Sequence, residues 1–378
     1  MSGNFTNPSS DPTTSPRTAL AAMSGGVDST VAAMLALRDG FDLTGAVMIL
    51  HRWANSDASD ADAAAKRLRI PFYEFDFTEP FAEHVVSPFI CAYQAGRTPN
   101  PCIDCNRRIK FGLMLDKARE LGKQKLITGH YARISLDGSG RYLLKKGADA
   151  SKDQSYVLYT LRQDQLSCAI FPLGDLTKQE VRDIASDAGL HNASRRESQD
   201  ICFIPDGDYV GFMIDQSHEA PRLGRFVDEA GKDLGPNKGV ACYTIGQRRG
   251  LGLSAAHPLY VLDIRPEDDT VVVGKEASLY SKTLVARDIN LIAATKLDSP
   301  IRARAKIRYT HTEQPATIIQ TDDDALRIEF DEPQRAITKG QAVVIYDGET
   351  VVGGGTIAAC GPQGIRGHGA RGTVSGHS

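Results

Sequence analysis

Two groups of residues in this chain are equipped for covalent chemistry, and they lie far apart in sequence. The first is Ser24-Gly25-Gly26-Val27-Asp28-Ser29, preceded by the apolar run RTALAAM and followed by the helical pattern STVAAMLALRDG. A strand that turns through two glycines into a helix leaves free N–H groups and the positive end of the helix dipole at the turn. That is a phosphate-binding arrangement. Ser24 and Ser29 add hydroxyl donors, and the lysine of the usual phosphate loop of kinases and GTPases is absent.

The second group is thiols. Cys102 and Cys105 sit in GRTPNPCIDCN, where two prolines stiffen the backbone just ahead of the helical pattern RIKFGLMLDKAREL. A thiol near a helix N-terminus and near Arg107, Arg108 and Lys110 is expected to have a lowered pKa, which makes Cys105 a thiolate at neutral pH. Cys202 follows in SQDICF, a polar loop after Arg195 and Arg196. Cys91, Cys168, Cys242 and Cys360 read as buried, inert small hydrophobes. Seven cysteines, an odd number, in a chain with no export signal argue for reduced thiols. The C-x-x-C spacing fits redox, zinc and iron–sulfur chemistry alike.

These residues need a scaffold. From Arg17 to about Leu144, the runs RTALAAM, LTGAVMIL, FYEFDF and KLITGHYARI alternate with helical patterns, including a helix from Ser29, which predicts a parallel α/β sheet covered on both faces. Thr177 and Glu180 form a capping-box pattern ahead of VRDIASDAGL and extend this domain to about Pro205. Beyond it, short strands such as YVLDI, TVVVG, ALRIEF and AVVIYDG lie between Gly and Pro turns. The expected division is a polar tail over 1–16, the α/β domain over 17–205, a small α+β domain over 206–283, a C-terminal β-barrel or sandwich over 284–362 and a Gly-rich tail over 363–378. With no long apolar segment and no leader pattern, the expected location is cytoplasmic, without membrane contact.

A net charge of −3 leaves the partner open. In Ile301–Tyr309 every second residue from Arg302 to Arg308 is basic, so a strand there presents Arg302, Arg304, Lys306 and Arg308 on one face as a phosphate-tracking stripe. Gln247, Arg248 and Arg249 lie in a Gly-flanked loop that is equally suited to gripping phosphates or to being a solvated turn.

The loop SGGVDS resembles the SGGxDS signature of the ATP pyrophosphatase superfamily, which implies ATP binding, an adenylated intermediate and Asp28 as a magnesium ligand. More narrowly, AMSGGVDS, GRTPNP, TGHYARI, SKDQSYVLYTL, ICFI, TIGQRRGLGL and GQAVVIYDG together resemble the tRNA-specific 2-thiouridylase family, whose members modify the wobble uridine of the tRNAs for Lys, Glu and Gln. The resemblance implies an ATP site of Ala22, Met23, Ser24, Gly25, Gly26, Val27, Asp28, Ser29, Met48 and Gly129. It places tRNA contacts at Asn100, Pro101, Cys102, His130, Lys152, Asp153, Gln154, Arg308, Tyr309 and Gln341. It further implies a persulfide on Cys202, loaded by a sulfur-donor protein of the cysteine desulfurase pathway, and a catalytic thiol at Cys105 that ends in a Cys105–Cys202 disulfide. Many members carry Asp where this chain has Cys102, which leaves the proton-transfer role without its usual residue and Asp104 as a substitute. It also makes a [4Fe–4S] cluster on Cys102, Cys105 and Cys202 an alternative route. Two further readings are a small-molecule ligase of the same superfamily and a non-catalytic RNA-binding metalloprotein.

Overall fold

The structure, a computed structural model, describes residues 17–52, 58–190 and 201–361. The stretches expected to be tails, Arg195, Arg196 and Ser198-Gln199-Asp200 lie outside the described residues.

The first domain contributes β1 (Thr18–Ala22), β2 (Asp42–Ile49), β3 (Phe72–Asp76), β4 (Lys125–Ile127), the hairpin β5 (Ala132–Leu136) and β6 (Tyr142–Lys146), and β7 (Ala169–Ile170). Five of these form a parallel sheet in the order β3-β2-β1-β4-β7. Central strands of such a sheet are covered on both faces, and Ala19, Leu20 and Ala21 in β1 are accordingly buried. The helix Val27–Arg38 starts at Val27, ahead of the expected Ser29, and turns Val31, Ala32, Ala33 and Ala36 into the interior. The run KLITGHYARI is not one strand. It breaks after Ile127, and Ala132 begins a strand of a different sheet. The sheet order reverses between β1 and β4, and the crevice beyond the carboxyl ends of strands at such a reversal receives ligands. Ser24–Gly26 leaves β1 there, and Thr128–His130 leaves β4.

The middle sheet, β8 (Gly224–Val227), β9 (Asp233–Asn237), β10 (Tyr260–Arg265) and β11 (Thr270–Gly274), has the order β10-β11-β8-β9 around Phe226, Val261, Val271 and Val273. The last six strands are β12 (Tyr280–Leu291), β13 (Ile301–Lys306), β14 (Gln314–Asp322), β15 (Ala325–Arg335), β16 (Ala342–Asp347) and β17 (Thr350–Cys360). Their order is β12-β15-β14-β13-β16-β17, and β17 pairs back onto β12, so the sheet closes into a barrel. Closure removes the free edges that a sandwich would leave. β12 is already under way at Tyr280, ahead of Leu284.

The barrel is bound to the first domain. β6 joins β17 through Thr350 and Lys145. Asn290 donates to the carbonyls of Tyr159 and Leu161 at 2.7 and 3.0 Å, and Tyr156 donates to that of Ala342 at 2.8 Å. The turn Lys339–Gln341 grips the loop ahead of Cys102: Thr98 N–H donates to the Lys339 carbonyl at 2.9 Å, and Gln341 Nε2 donates to the carbonyls of Thr98 at 2.9 Å and Pro99 at 3.3 Å. Gly340 makes this approach possible. Its φ is +91°, and a Cβ there would lie 2.9 Å from both Arg97 Cβ and Thr98 N. Gly340→Ala is therefore expected to destabilise the protein by roughly 1–3 kcal/mol, read as a lower urea midpoint. An unchanged midpoint would show that this contact is dispensable.

Candidate functional site

The segment Ser24–Ser29 turns from strand into helix as its sequence implies. Ser29 Oγ donates to the Gly26 carbonyl at 3.0 Å and lies 3.2 Å from Ser24 Oγ, while Ser24 N–H donates to Ser29 Oγ at 3.1 Å. Gly25 has φ +73° and packs so closely on Asp60 that a Cβ would come within 2.5 Å of it. Gly129, from the end of β4, lies against the loop itself, where a Cβ would sit 2.8 Å from the Asp28 carbonyl carbon. Ala22 and Met48 are half-buried and Met23 is buried, all in the strand ends around the loop.

Asp28 does not stand alone. Lys178 Nζ donates to both of its oxygens, at 2.7 and 2.8 Å, and the Tyr131 hydroxyl donates to one at 2.8 Å. Lys178 is a buried lysine at the first position of the helix Lys178–Asp187, inside the Thr177–Glu180 capping box. Reading the sequence found the box but not the lysine, although the cap dictates where that residue points. This ammonium stands at the loop where the usual phosphate-loop lysine is missing. A magnesium ion held through one carboxylate and substrate phosphates is compatible with Asp28 once an oxygen exchanges Lys178 for the metal.

The thiols differ from expectation in two respects. Cys102 and Cys105 do not precede a helix but belong to one: Asn100 caps it by accepting from Cys102 N–H at 3.2 Å, Pro101 takes the first position, and the chain runs through Pro101–Asp104, a π-helical stretch Cys105–Leu113, and Met114–Glu120. Proline at that position suits a helix start, since its missing N–H has no partner to lose. Cys105 is thus one turn inside, away from the helix terminus. Nor is it a resting thiolate. Burial pushes its pKa up to about 12, Lys110 opposes the rise, and Cys202, Cys102 and Asp104 add to it. Arg107, expected to favour the thiolate, is paired with Asp288 of the barrel at 2.6 Å.

Cys202, about a hundred residues later in the chain, faces the same place. Its thiol is also raised, by burial first and then by Cys102, with Lys110 opposing. It is held there by its neighbour: Phe203 is buried and meets Phe81 and Phe89 edge-on at 5.5 Å. Cys102, Cys105 and Cys202 therefore form one group of free thiols. Among the described residues, no three His, Cys, Asp or Glu side chains are arranged to hold a metal ion. Of the cysteines read as inert, Cys168, Cys242 and Cys360 are half-buried, whereas Cys91 is exposed. Asp104 has its carboxyl raised to about 6 by burial, against Arg107 and Arg108.

His130 is buried, its Nδ1 2.7 Å from Thr128 Oγ1 and its Nε2 3.3 Å from Lys110 Nζ. An ammonium only donates, so Nε2 accepts and Nδ1 carries the proton towards Thr128. Burial and Lys110 hold its pKa well below the ordinary value. Asp153 accepts from the N–H groups of Gly147 and Ser155 at 3.0 and 3.1 Å, and Gln154 Oε1 accepts from Tyr131 N–H at 3.0 Å. Lys152 is half-buried beside them.

The basic stripe is only partly as expected. β13 ends at Lys306, so Arg308 and Tyr309 lie in the turn beyond it. Arg302 is paired with Asp331 of β15 at 2.7 Å and Arg304 with Glu313 of the loop before β14 at 3.4 Å, carboxylates that neutralise them. Lys306 lies over the rings of Tyr156 and Tyr309, and Arg308 donates to the Ala336 carbonyl. Tyr309 is exposed, and Cys102 is among the groups that act on it electrostatically. Gln247 is used within its own loop, donating to the Arg249 carbonyl at 3.0 Å, while Arg248 and Arg249 are exposed.

A HUP-type parallel sheet with a phosphate loop, joined to a small barrel-like sheet and a closed six-stranded barrel, defines a class of tRNA-modifying enzymes, and family models cover the chain in that order. They are a tRNA methyl transferase HUP domain over residues 17–206, a tRNA methyl transferase PRC-barrel domain over 213–275 and an aminomethyltransferase β-barrel domain over 281–357. The tRNA-specific 2-thiouridylase MnmA of Clostridioides difficile is 46% identical over 349 residues, covering 89% of this chain and 96% of that protein. MnmA 1 of Caldanaerobacter subterraneus subsp. tengcongensis is 48% identical over 351 residues, with the same coverage of 89% and 96%. The chain belongs to the tRNA-specific 2-thiouridylase family. Among solved structures, a 4-thiouridine synthetase–RNA complex with bound ATP gives a TM-score of 0.37 at 21% identity, covering 50% of this chain and 45% of that one. A likeness that low carries no functional weight. No helix among the described residues is long and apolar enough to cross a membrane.

Two outcomes follow from the titrations. Alkylation of Cys105 by iodoacetamide in the resting protein should keep accelerating about tenfold per pH unit up to pH 10; a plateau below pH 8 would mean that the thiol is not held protonated. His130 stays neutral in the folded state but takes a proton near pH 6.5 when unfolded. Its contribution is therefore complete above that pH and declines as pH falls, by up to about 1.4 kcal/mol per unit. His130→Gln should flatten the fall in thermal midpoint between pH 6.5 and 5.

Proposed function

We propose that this chain is the ATP-dependent sulfurtransferase that converts the wobble uridine of the tRNAs for Lys, Glu and Gln to 2-thiouridine. The observation that carries the mechanism is the meeting of Cys105 and Cys202, distant in sequence, in one unbridged thiol group.

In this reading ATP lies at the β1–β4 crevice, with its phosphates on Ser24-Gly25-Gly26-Val27-Asp28-Ser29 and on Lys178, and its remainder near Ala22, Met23, Met48 and Gly129. Asp28 is the carboxylate available to magnesium, whose charge, when bound, offsets that of the departing pyrophosphate. The uridine O2 attacks the α-phosphorus and pyrophosphate leaves, so that C2 then carries AMP as a leaving group. A donor protein of the cysteine desulfurase pathway loads a sulfur onto Cys202. The terminal sulfur of that persulfide attacks C2 and AMP departs. The Cys105 thiolate then attacks Cys202 Sγ, and the S–S bond breaks towards the uridine, leaving C=S on the base and a Cys105–Cys202 disulfide. A thiol reductant returns both to the free state. Asp104, titrating near neutrality beside Cys105, is suited to carry the proton that leaves the thiol.

The base must be flipped from its stack to reach these sulfurs. Tyr309, exposed beside Cys102 with Lys306 over its ring, offers a stacking platform, while Asn100 and Pro101 form the wall. Lys152 and Arg308 supply charge for the backbone. Asp153, Gln154, His130 and Gln341 act on tRNA through the loops they hold.

The test is thiolation of unmodified Lys tRNA by anaerobically purified protein with a sulfur source, with and without ATP, scored by retardation on a mercury-containing gel. Retardation should require ATP and fall more than a hundredfold in Cys202→Ala, Cys105→Ala and Asp28→Asn. Sulfide-driven activity that survives Cys202→Ala would remove the persulfide, and about four irons per active chain would favour a [4Fe–4S] cluster on Cys102, Cys105 and Cys202. No thiolation by ATP-binding protein would leave the small-molecule ligase reading, which needs neither Cys105 nor Cys202.

A further inference from the structure

The three thiols share one cation. Lys110 is the group that opposes the rise in pKa of Cys102, of Cys105 and of Cys202 alike, while every other side chain acting on them, Asp104 included, is neutral or negative. Its placement depends on the form of the helix. With about 3.6 residues per turn, residues five apart point about 140° away from each other. Between Cys105 and Leu113 the helix is π-helical, and i-to-i+5 hydrogen bonding widens the turn and brings Lys110 back to the face of Cys105. Cys102, three residues before Cys105, lies on that face as well.

The ammonium is also free for this use. Among the described residues no carboxylate pairs with Lys110; its one hydrogen-bond partner is His130 Nε2 at 3.3 Å, and His130 is fixed in turn by Thr128 at 2.7 Å and packed between Phe111 and Phe171. A neutral imidazole orients the lysine without neutralising it. A carboxylate in the same place would cancel its charge.

We propose that Lys110 is the shared cation that stabilises negative sulfur at Cys105 and at Cys202, with His130 and Thr128 as positioning residues that aim it. The Cys105 proton leaves through Asp104 and that of Cys202 for solvent, and no covalent bond is made to the lysine. The proposal rests on the reading of these cysteines as the sulfur-handling pair, and it identifies what makes anions accessible at thiols whose pKa is raised.

The experiment measures iodoacetamide alkylation of each cysteine by mass spectrometry in the reduced full-length chain, between pH 7 and 9, without ATP or tRNA. Lys110→Gln should slow Cys105 and Cys202 about tenfold at each pH, as a pKa rise of about one unit demands, with the exposed Cys91 unchanged, and Lys110→Arg should restore both rates. Unchanged rates at either cysteine in Lys110→Gln, or an equal loss in Lys110→Arg, would overturn the proposal. Should Lys110→Gln unfold, seen as rapid labelling of Cys168, acetyl-lysine at position 110 keeps the stem, removes the charge and decides by the same criteria. Alkylation needs no thiolation activity, so a tenfold loss in a protein that does not thiolate tRNA would sink the function and leave the shared cation standing.

Discussion

The site depends on the contact between the barrel turn Lys339–Gln341 and the loop Arg97–Pro99. Three hydrogen bonds to main-chain groups and the absence of a side chain at Gly340 set where that loop ends. Its end is Asn100, the cap of the helix that carries Cys102, Cys105 and Lys110. A domain that contributes neither Cys102 nor Cys105 thus grips the loop from which their helix begins. Main-chain bonds suit this purpose, since they fix a path for the backbone whatever side chains the loop carries.

From that helix the electrostatics follow. Burial makes every sulfur anion costly, and the thiols are protonated at rest. Thiols held protonated in this way require a cation to become reactive. The cations that looked available in the sequence are largely spent on pairing: Arg107 on Asp288, Arg302 on Asp331, Arg304 on Glu313. The lysines at the two chemical centres are buried or partly buried, Lys178 at the phosphate loop and Lys110 at the thiols. A cation with little water around it acts more strongly on a neighbouring anion than an exposed arginine does.

Much of this was legible in the chain. The strand, turn and helix around Ser24–Ser29 could be read because strand, glycines and helix start are consecutive, and local geometry follows local sequence. The same holds for the capping box at Thr177, and for the parallel sheet, whose short apolar runs match strands that are buried on both faces. The cysteines could be recognised as a set by type and by the motifs around them, although Cys102 and Cys105 lie in a helix and not a loop. Their protonation could not, because it is set by how much water the fold removes and by which charges arrive from elsewhere. The helix start at Pro101 was misplaced since it is Asn100, at the end of the loop the barrel grips, that caps it.

The sequence alone therefore determined the chemistry on offer: a backbone cradle for phosphate, a group of thiols and the family that joins them. It could do so because residue type and short-range spacing decide which reactions a segment can support. Only the tertiary structure decided which thiols meet, which arginines are already neutralised and which lysine stands beside the thiols. Those are properties of segments brought together from distant parts of the chain, and the energy of a charge depends on everything packed around it.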